Sequence, residues 1–175
     1  TVTPWGGGTQ QATGRLAEAP EVVVATRRLN GVLQYEPDDL TIGVGAGMTL
    51  GELQATLAAH GQTLPLDAPL PAQATLGGLA ATARDGPRRL GYGTLRDLVL
   101  GLTVVQADGT VLRLGGQVVK NVSGYDLVKL FLGSHGTLGV IAEVRLRTFP
   151  RPPHEASLLA GFPSRAAAVA FLVEL

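Results

Sequence analysis

Three glycine clusters set tens of residues apart constrain this chain more than any other feature. Gly6-Gly7-Gly8-Thr9 stands near its start, and five glycines (Gly77, Gly78, Gly86, Gly91, Gly93) fall between residues 77 and 93. The third cluster, Gly133-Ser134-His135-Gly136-Thr137-Leu138-Gly139, lies towards the end. Glycine allows positive φ and close backbone approach, so each cluster is a place where main-chain N–H groups could wrap an anion. Three such loops could converge on one extended ligand carrying several phosphates or rings. Gly77-Gly78 follows a small-residue run and precedes Leu79-Ala80-Ala81, where a helix or tight turn begins. Glycine pairs also mark ordinary turns, and that alternative stays open for Gly6-Gly7-Gly8 as well.

With 175 residues, 45% of them hydrophobic, the chain suffices for one core and the start of a second domain. Its 24 glycines are clustered and not periodic, which excludes collagen and a low-complexity linker. A formal net charge of zero gives no electrostatic footprint for nucleic acid. The absence of cysteine excludes disulfides, thiolate metal sites and an iron–sulfur cluster in these residues. If electrons leave through iron, another subunit holds it, and no metal site is expected here. No apolar run approaches the roughly 20 residues of a membrane span, and no signal-peptide pattern is present, so a cytoplasmic protein is expected. The abrupt start at a glycine loop leads us to expect an upstream segment.

In chain order, the β-branched run Glu21–Thr26 and the run Leu40–Val44 read as strands, with a turn at Glu36–Asp39 and a hairpin signal at Asn30-Gly31. Gly43-Val44-Gly45-Ala46-Gly47-Met48 fails as a dinucleotide fingerprint, because Met48 stands where the third glycine should fall. It reads instead as a strand end feeding a helix from Thr49 to His60, capped by Thr49 and Glu52, with Leu50, Leu53 and Leu57 on one face. His60, at that helix's end, reads as a dipole partner and not as a ligand. Leu98–Val105 reads as a buried strand, turned at Asp108-Gly109 into Thr110–Leu114. A short helix ending at Leu132 follows. Val140–Thr148 then alternates, with Ile141, Glu143, Arg145 and Arg147 on one face. Arg151-Pro152-Pro153-His154 reads as a linker, followed by a strand at Ser157–Ala160 and an Ala-rich helix.

The order Gly6-Gly7-Gly8-Thr9, Ala74-Thr75-Leu76-Gly77-Gly78, Tyr92-Gly93-Thr94-Leu95-Arg96-Asp97 and Gly133–Ile141 resembles the FAD-binding domain of the vanillyl-alcohol oxidase and p-cresol methylhydroxylase (PCMH) superfamily. Gly86-Pro87-Arg88-Arg89, Val99-Leu100-Gly101 and Gly115–Asp126 further resemble FAD-binding subunits of bacterial glycolate oxidase. The likeness covers roughly residues 4 to 150.

That resemblance implies an α+β fold: a PCMH-type FAD-binding domain of two α/β subdomains over residues 1–150. Residues 151–175 would be a linker and the first βα unit of a truncated cap domain. It implies that the FAD pyrophosphate lies against the first glycine loop, Gly6, Gly7, Gly8 and Thr9, and against Ala74, Thr75, Leu76, Gly77 and Gly78, with Trp5, Gln10, Pro71, Ala81 and Thr82 also among the cofactor-binding residues. The flavin ring would lie near Tyr92, Gly93, Lys120, Asn121 and the backbone of Gly139, Val140 and Ile141, with Gly136 also among the cofactor-binding residues. Members with covalent flavin often carry His where Thr9 stands, so noncovalent FAD is implied. The substrate-binding Arg and catalytic His usually belong to the second domain. No catalytic residue is assigned here; His135 is the one histidine placed to act as a base, at a variable position of its loop. The function implied is oxidation of a small 2-hydroxy acid such as glycolate. The chain would work in a complex with a second flavoprotein subunit and an iron–sulfur subunit, cytoplasmic or peripheral at the inner membrane through those partners. Two alternatives are a fragment of an FAD-dependent sugar or aldonolactone oxidase, and a non-catalytic subunit holding FAD for assembly or electron relay.

Overall fold

A computed structural model describes residues 1–13, 20–116 and 125–174. The first half of the chain forms β1 (Val2–Trp5), β2 (Val22–Ala25), β3 (Val32–Glu36), β4 (Thr41–Gly45), α1 (Leu50–Ala58), β5 (Gln62–Thr63) and α2 (Leu76–Thr82). It continues with α3 (Arg89–Tyr92), α4 (Leu95–Leu98), β6 (Val99–Val105), β7 (Val111–Gly115), α5 (Val128–Phe131), β8 (Val140–Arg147), β9 (Phe149–Pro150) and α6 (Arg165–Glu174). This is the mixed α+β content expected.

β1 and β2 pair in parallel, Val2 opposite Val22 and Trp5 opposite Ala25. The larger sheet is antiparallel throughout, in the order β3-β4-β8-β6-β7. Its central strands supply Ile42 and Val44 (β4), Val144 and Leu146 (β8), and Leu102 and Val104 (β6) to one core. Leu53 and Leu57 of α1, Leu76 and Leu79 of α2, and Leu95 and Leu98 of α4 complete it. Thr49 caps α1 as expected: its hydroxyl accepts from the Glu52 amide at 3.2 Å, and its own amide donates to Glu52 Oε2 at 2.7 Å. Leu50, Leu53 and Leu57 are the buried face of α1.

Four expectations change. Asn30-Gly31 is not a hairpin turn; β3 turns into β4 through Pro37–Leu40, and the Gly31 carbonyl accepts from the Gly45 amide at 2.9 Å. Segment 26–31 therefore lies against the end of β4, so closely that a Cβ on Gly45 would come 2.2 Å from Leu29 O and one on Gly47 1.9 Å from Thr26 O. That approach explains the Gly43-x-Gly45-x-Gly47 spacing. Leu98 ends α4 and does not begin β6. In β8 the strict alternation breaks, because Val104 pairs with Ile141 while Thr103 pairs with Glu143, leaving Ala142 as the extra residue. The bulge puts Ile141 in the core with Val144 and Leu146, out of phase with Glu143 and Arg145. Finally, Ser157–Ala160 forms no strand: these residues are exposed and meet no strand edge among the described residues, and an unpaired strand is not stable in water. Only α6, with Ser164 Oγ accepting from the Ala167 amide at 3.2 Å, forms in this segment.

Distant segments are also joined by polar groups. Gln62 Oε1 accepts from Thr148 Oγ1 at 2.6 Å and from Tyr35 Oη at 3.1 Å, while Gln62 Nε2 donates to Pro37 O at 2.7 Å. Burial raises the Tyr35 phenol above its ordinary pKa.

Candidate cofactor cleft

The turn after β1 brings the first glycine cluster onto the loop before α2. The Gly7 amide donates to Thr75 Oγ1 at 3.2 Å, and a Cβ on Gly7 would stand 1.8 Å from the Gln73 carbonyl oxygen. Gly6 is as tight, 2.2 Å from Thr75 Oγ1. These glycines are required by loop-on-loop contact, whatever else they do. The third cluster closes over the other end of α2, where the Gly133 amide donates to Ala80 O at 3.0 Å and the His135 amide to Ala81 O at 2.8 Å. Such bonds satisfy carbonyls that a helix end leaves open. Gly136 (φ +76) sits against Pro4, its would-be Cβ 3.0 Å from Pro4 Cγ, so the first and third clusters meet.

Between them lies a cleft of about 540 Å³. Trp5, Gly6, Gly7, Gly8, Thr9, Gln10, Thr75, Gly77, Gly78, Ala81, Thr82, Gly136, Gly139, Val140 and Ile141 line it. The other residues named from the sequence lie elsewhere. Ala74 and Leu76 are buried in the core. Pro71 lines a separate cavity. Tyr92 packs edge-on against Phe149 at 5.4 Å, and Gly93 (φ +84) turns α3 into α4. Lys120 and Asn121 fall outside the described residues. The sequence reading missed Thr26 and Thr137 on the cleft wall, and gave His135 no binding role. Thr26 is brought there by its amide donating to Trp5 O at 2.9 Å, a contact between segments that no local pattern signals.

The donors that could meet an anion are fewer than the glycines suggest. The Leu76 and Gly77 amides are already given to Met48 O at 2.9 Å and Ala46 O at 2.8 Å. By contrast, the Gly8, Thr9 and Gly78 amides have no backbone acceptor among the described residues. A Cβ on Gly78 would meet only Thr75 Oγ1, at 3.1 Å, so that face of α2 is open. Gln10 Oε1 is buried without a hydrogen-bond partner among the described residues, an unmet acceptor of the kind a ligand's donor satisfies. Open amides and hydroxyls thus suit a phosphate-bearing ligand, and the unmet Gln10 Oε1 suits a hydroxyl or N–H donor elsewhere on it.

The second cavity, about 880 Å³, carries Asp67, Arg84, Asp85, Arg88, Arg151 and Glu155 on its wall, and of the clustered glycines only Gly86. Arg88 is held there by Asp67, through its amide at 2.8 Å and its Nε at 3.4 Å. Arg88 Nη2 also stands 3.9 Å from Glu155 Oε1.

The family described as FAD binding domain matches residues 1–115. Glycolate oxidase subunit GlcE of Escherichia coli (strain K12) is 43% identical over 129 residues, covering 73% of this chain and 37% of that protein. A D-lactate dehydrogenase of Archaeoglobus fulgidus is 38% identical over 170 residues, covering 97% of this chain and 38% of that protein. Among solved structures, an alkyldihydroxyacetonephosphate synthase superposes with a TM-score of 0.76 at 29% identity, over 87% of this chain and 28% of that one. This chain spans less than two fifths of the length of these curated relatives.

Proposed function

This chain belongs to the FAD-binding domain family, and on that premise we propose that the cleft holds FAD noncovalently for the oxidation of a 2-hydroxy acid. The observation that carries the reading is the convergence of Gly6-Gly7-Gly8, Gly77-Gly78 and the Gly136–Gly139 loop on one cleft, with open amides at Gly8, Thr9 and Gly78 and no acidic side chain on its described wall. Those amides and the Thr9 hydroxyl would hold the diphosphate, while Gln10 Oε1, an acceptor, would take a hydroxyl or N–H of the cofactor. Thr9 carries no imidazole, so this loop offers no covalent attachment of the kind the resemblance describes. When bound, FAD supplies the acceptor for a hydride equivalent from substrate carbon; the domain supplies position and a partly enclosed surface.

The substrate class rests on the relatives, whose names specify glycolate oxidase and D-lactate dehydrogenase. Binding such an acid calls for a cation to hold its carboxylate and a base in reach of its hydroxyl. The described cleft wall contains no Lys or Arg, so we place these groups outside the cleft. The name of the bacterial relative also supports a subunit of a larger complex. With no cysteine in the 175 residues, an iron–sulfur carrier would belong to a partner, alongside a second flavoprotein subunit.

Acid precipitation of the purified protein tests the cofactor reading. It should release a yellow supernatant that chromatographs as FAD; FMN in the supernatant, or flavin held in the pellet, overturns it. Bleaching of the flavin in the full complex by glycolate or D-lactate tests the substrate class, and an unchanged spectrum with both would refute it.

A further inference from the structure

The charged wall of the second cavity comes from three segments whose backbones other contacts hold in place. Asp67 lies against the Gly86 backbone, where a Cβ on Gly86 would come 2.3 Å from Asp67 Cβ, and it fixes Arg88 through their ion pair. Arg84 follows Ala83, the C-cap of α2 (φ +46), whose amide donates to Leu79 O at 2.8 Å. Arg151 follows β9, and its amide donates to Gly61 O at 2.8 Å. The acids of the wall already have partners: Asp67 has Arg88, Glu155 stands 3.9 Å from the same guanidinium, and Asp85 Oδ1 accepts from the Leu95 amide at 2.6 Å. The guanidinium groups of Arg84 and Arg151 have neither a carboxylate within 4.0 Å nor a hydrogen-bond acceptor among the described residues. The same wall includes Leu50, Leu66 and Leu79.

We propose that this cavity is a binding site for a small dicarboxylate, held at one end by Arg84 and at the other by Arg151. A planar guanidinium presents its N–H donors in a fork that matches a carboxylate, and it keeps its charge throughout the physiological pH range. Two such groups without partners call for two carboxylates. The rest of the wall selects the class. Leu50, Leu66 and Leu79 favour a ligand with a methylene spacer, whose apolar surface leaves water against them. Phosphate offers no such surface, and it concentrates its charge in a space shared with Asp67, Asp85 and Glu155. A volume of about 880 Å³ is of the size that small-molecule sites have. The inference is independent of where FAD binds, because the cavity and the cleft have no wall residue in common.

Calorimetric titration of the full-length protein with malonate, succinate and glutarate tests the site, with glycolate and inorganic phosphate for comparison. The best of the three dicarboxylates should bind about tenfold more tightly than glycolate, which can engage only one guanidinium. Added sodium chloride should weaken its binding. Arg84→Gln and Arg151→Gln should each cost about tenfold, leaving that dicarboxylate no tighter than glycolate. Arg113→Gln, on β7 and outside the cavity wall, should bind as wild type does. Stripping the flavin should leave the affinity unchanged. No dicarboxylate binding at millimolar concentration, glycolate binding as tightly as every dicarboxylate, or unchanged affinity in either glutamine variant overturns the proposal. Phosphate binding more tightly than all three dicarboxylates overturns the ligand class, and binding that disappears with the flavin places the acid in the cofactor cleft and overturns the site. The ranking of ligands is read on wild type, so it decides the matter even if a variant fails to fold.

Discussion

The Gly7 amide and the Thr75 hydroxyl, 68 residues apart in the chain, meet at 3.2 Å and fasten the first glycine cluster to the loop that leads into α2. The same contact leaves no room for a side chain at Gly7, whose Cβ would lie 1.8 Å from Gln73 O. The cleft exists because these loops touch.

Gly7→Ala should therefore push the loops apart, costing about 1–3 kcal/mol by overpacking and most of the bound FAD. Gly31→Ala is the control, because a Cβ there meets nothing within 4 Å. Urea unfolding and the ratio of flavin to protein absorbance report both effects. Equal flavin content in the two variants would show that the contact is dispensable for the site.

The adjacent glycines of α2 should behave differently. At Gly77 a Cβ would come 2.7 Å from Ala46 Cβ, where helix packs on sheet, so Gly77→Ala should lower stability by about 1–3 kcal/mol. Gly78 faces the cleft, and Gly78→Val should leave the fold in place while reducing FAD occupancy. Circular dichroism with flavin quantification distinguishes the two; a common loss of stability would mean that Gly78 is also a packing residue.

Acid should weaken the cap of α1. The amide of Thr49, and then its hydroxyl, hydrogen-bond the Glu52 carboxylate and hold its pKa below the ordinary glutamate value. The unfolded state then binds the proton more readily, so the contribution is complete above the ordinary value, about 4.3, and is lost as pH falls through the lower folded value. Thr49→Ala should cost about 1 kcal/mol at neutral pH. The gap between wild type and Glu52→Gln should close as the solution is acidified below about pH 4, and a gap constant with pH would exclude this origin.

Gln62→Leu removes the acceptor shared by Tyr35 and Thr148 and strands a hydroxyl that is fully buried. A cost of about 1–3 kcal/mol follows from the unmet group. FAD content per folded molecule should not change, since Gln62 is not on the cleft wall; reduced flavin in folded protein would contradict that separation.

The local elements were largely legible because their causes are local. Thr49-x-x-Glu52 announces a cap, Leu50, Leu53 and Leu57 announce a buried face, and Asp108-Gly109 announces the β6–β7 turn, each within a few residues. The three glycine clusters, too, stand in the sequence as places where backbone must come close to something. What they come close to was decided only by tertiary contact. Gly7 approaches Gln73, Gly45 approaches Leu29, and Gly77 approaches Ala46, so steric demands that read as anion binding are met by the chain itself. The bulge at Ala142 likewise depends on the register against β6, and the failure of Ser157–Ala160 to form a strand depends on having no edge to pair with among the described residues. Sequence records the conformations a residue permits; which neighbour fills the space beside it, and so which amides stay open for a ligand, is settled only when distant segments pack.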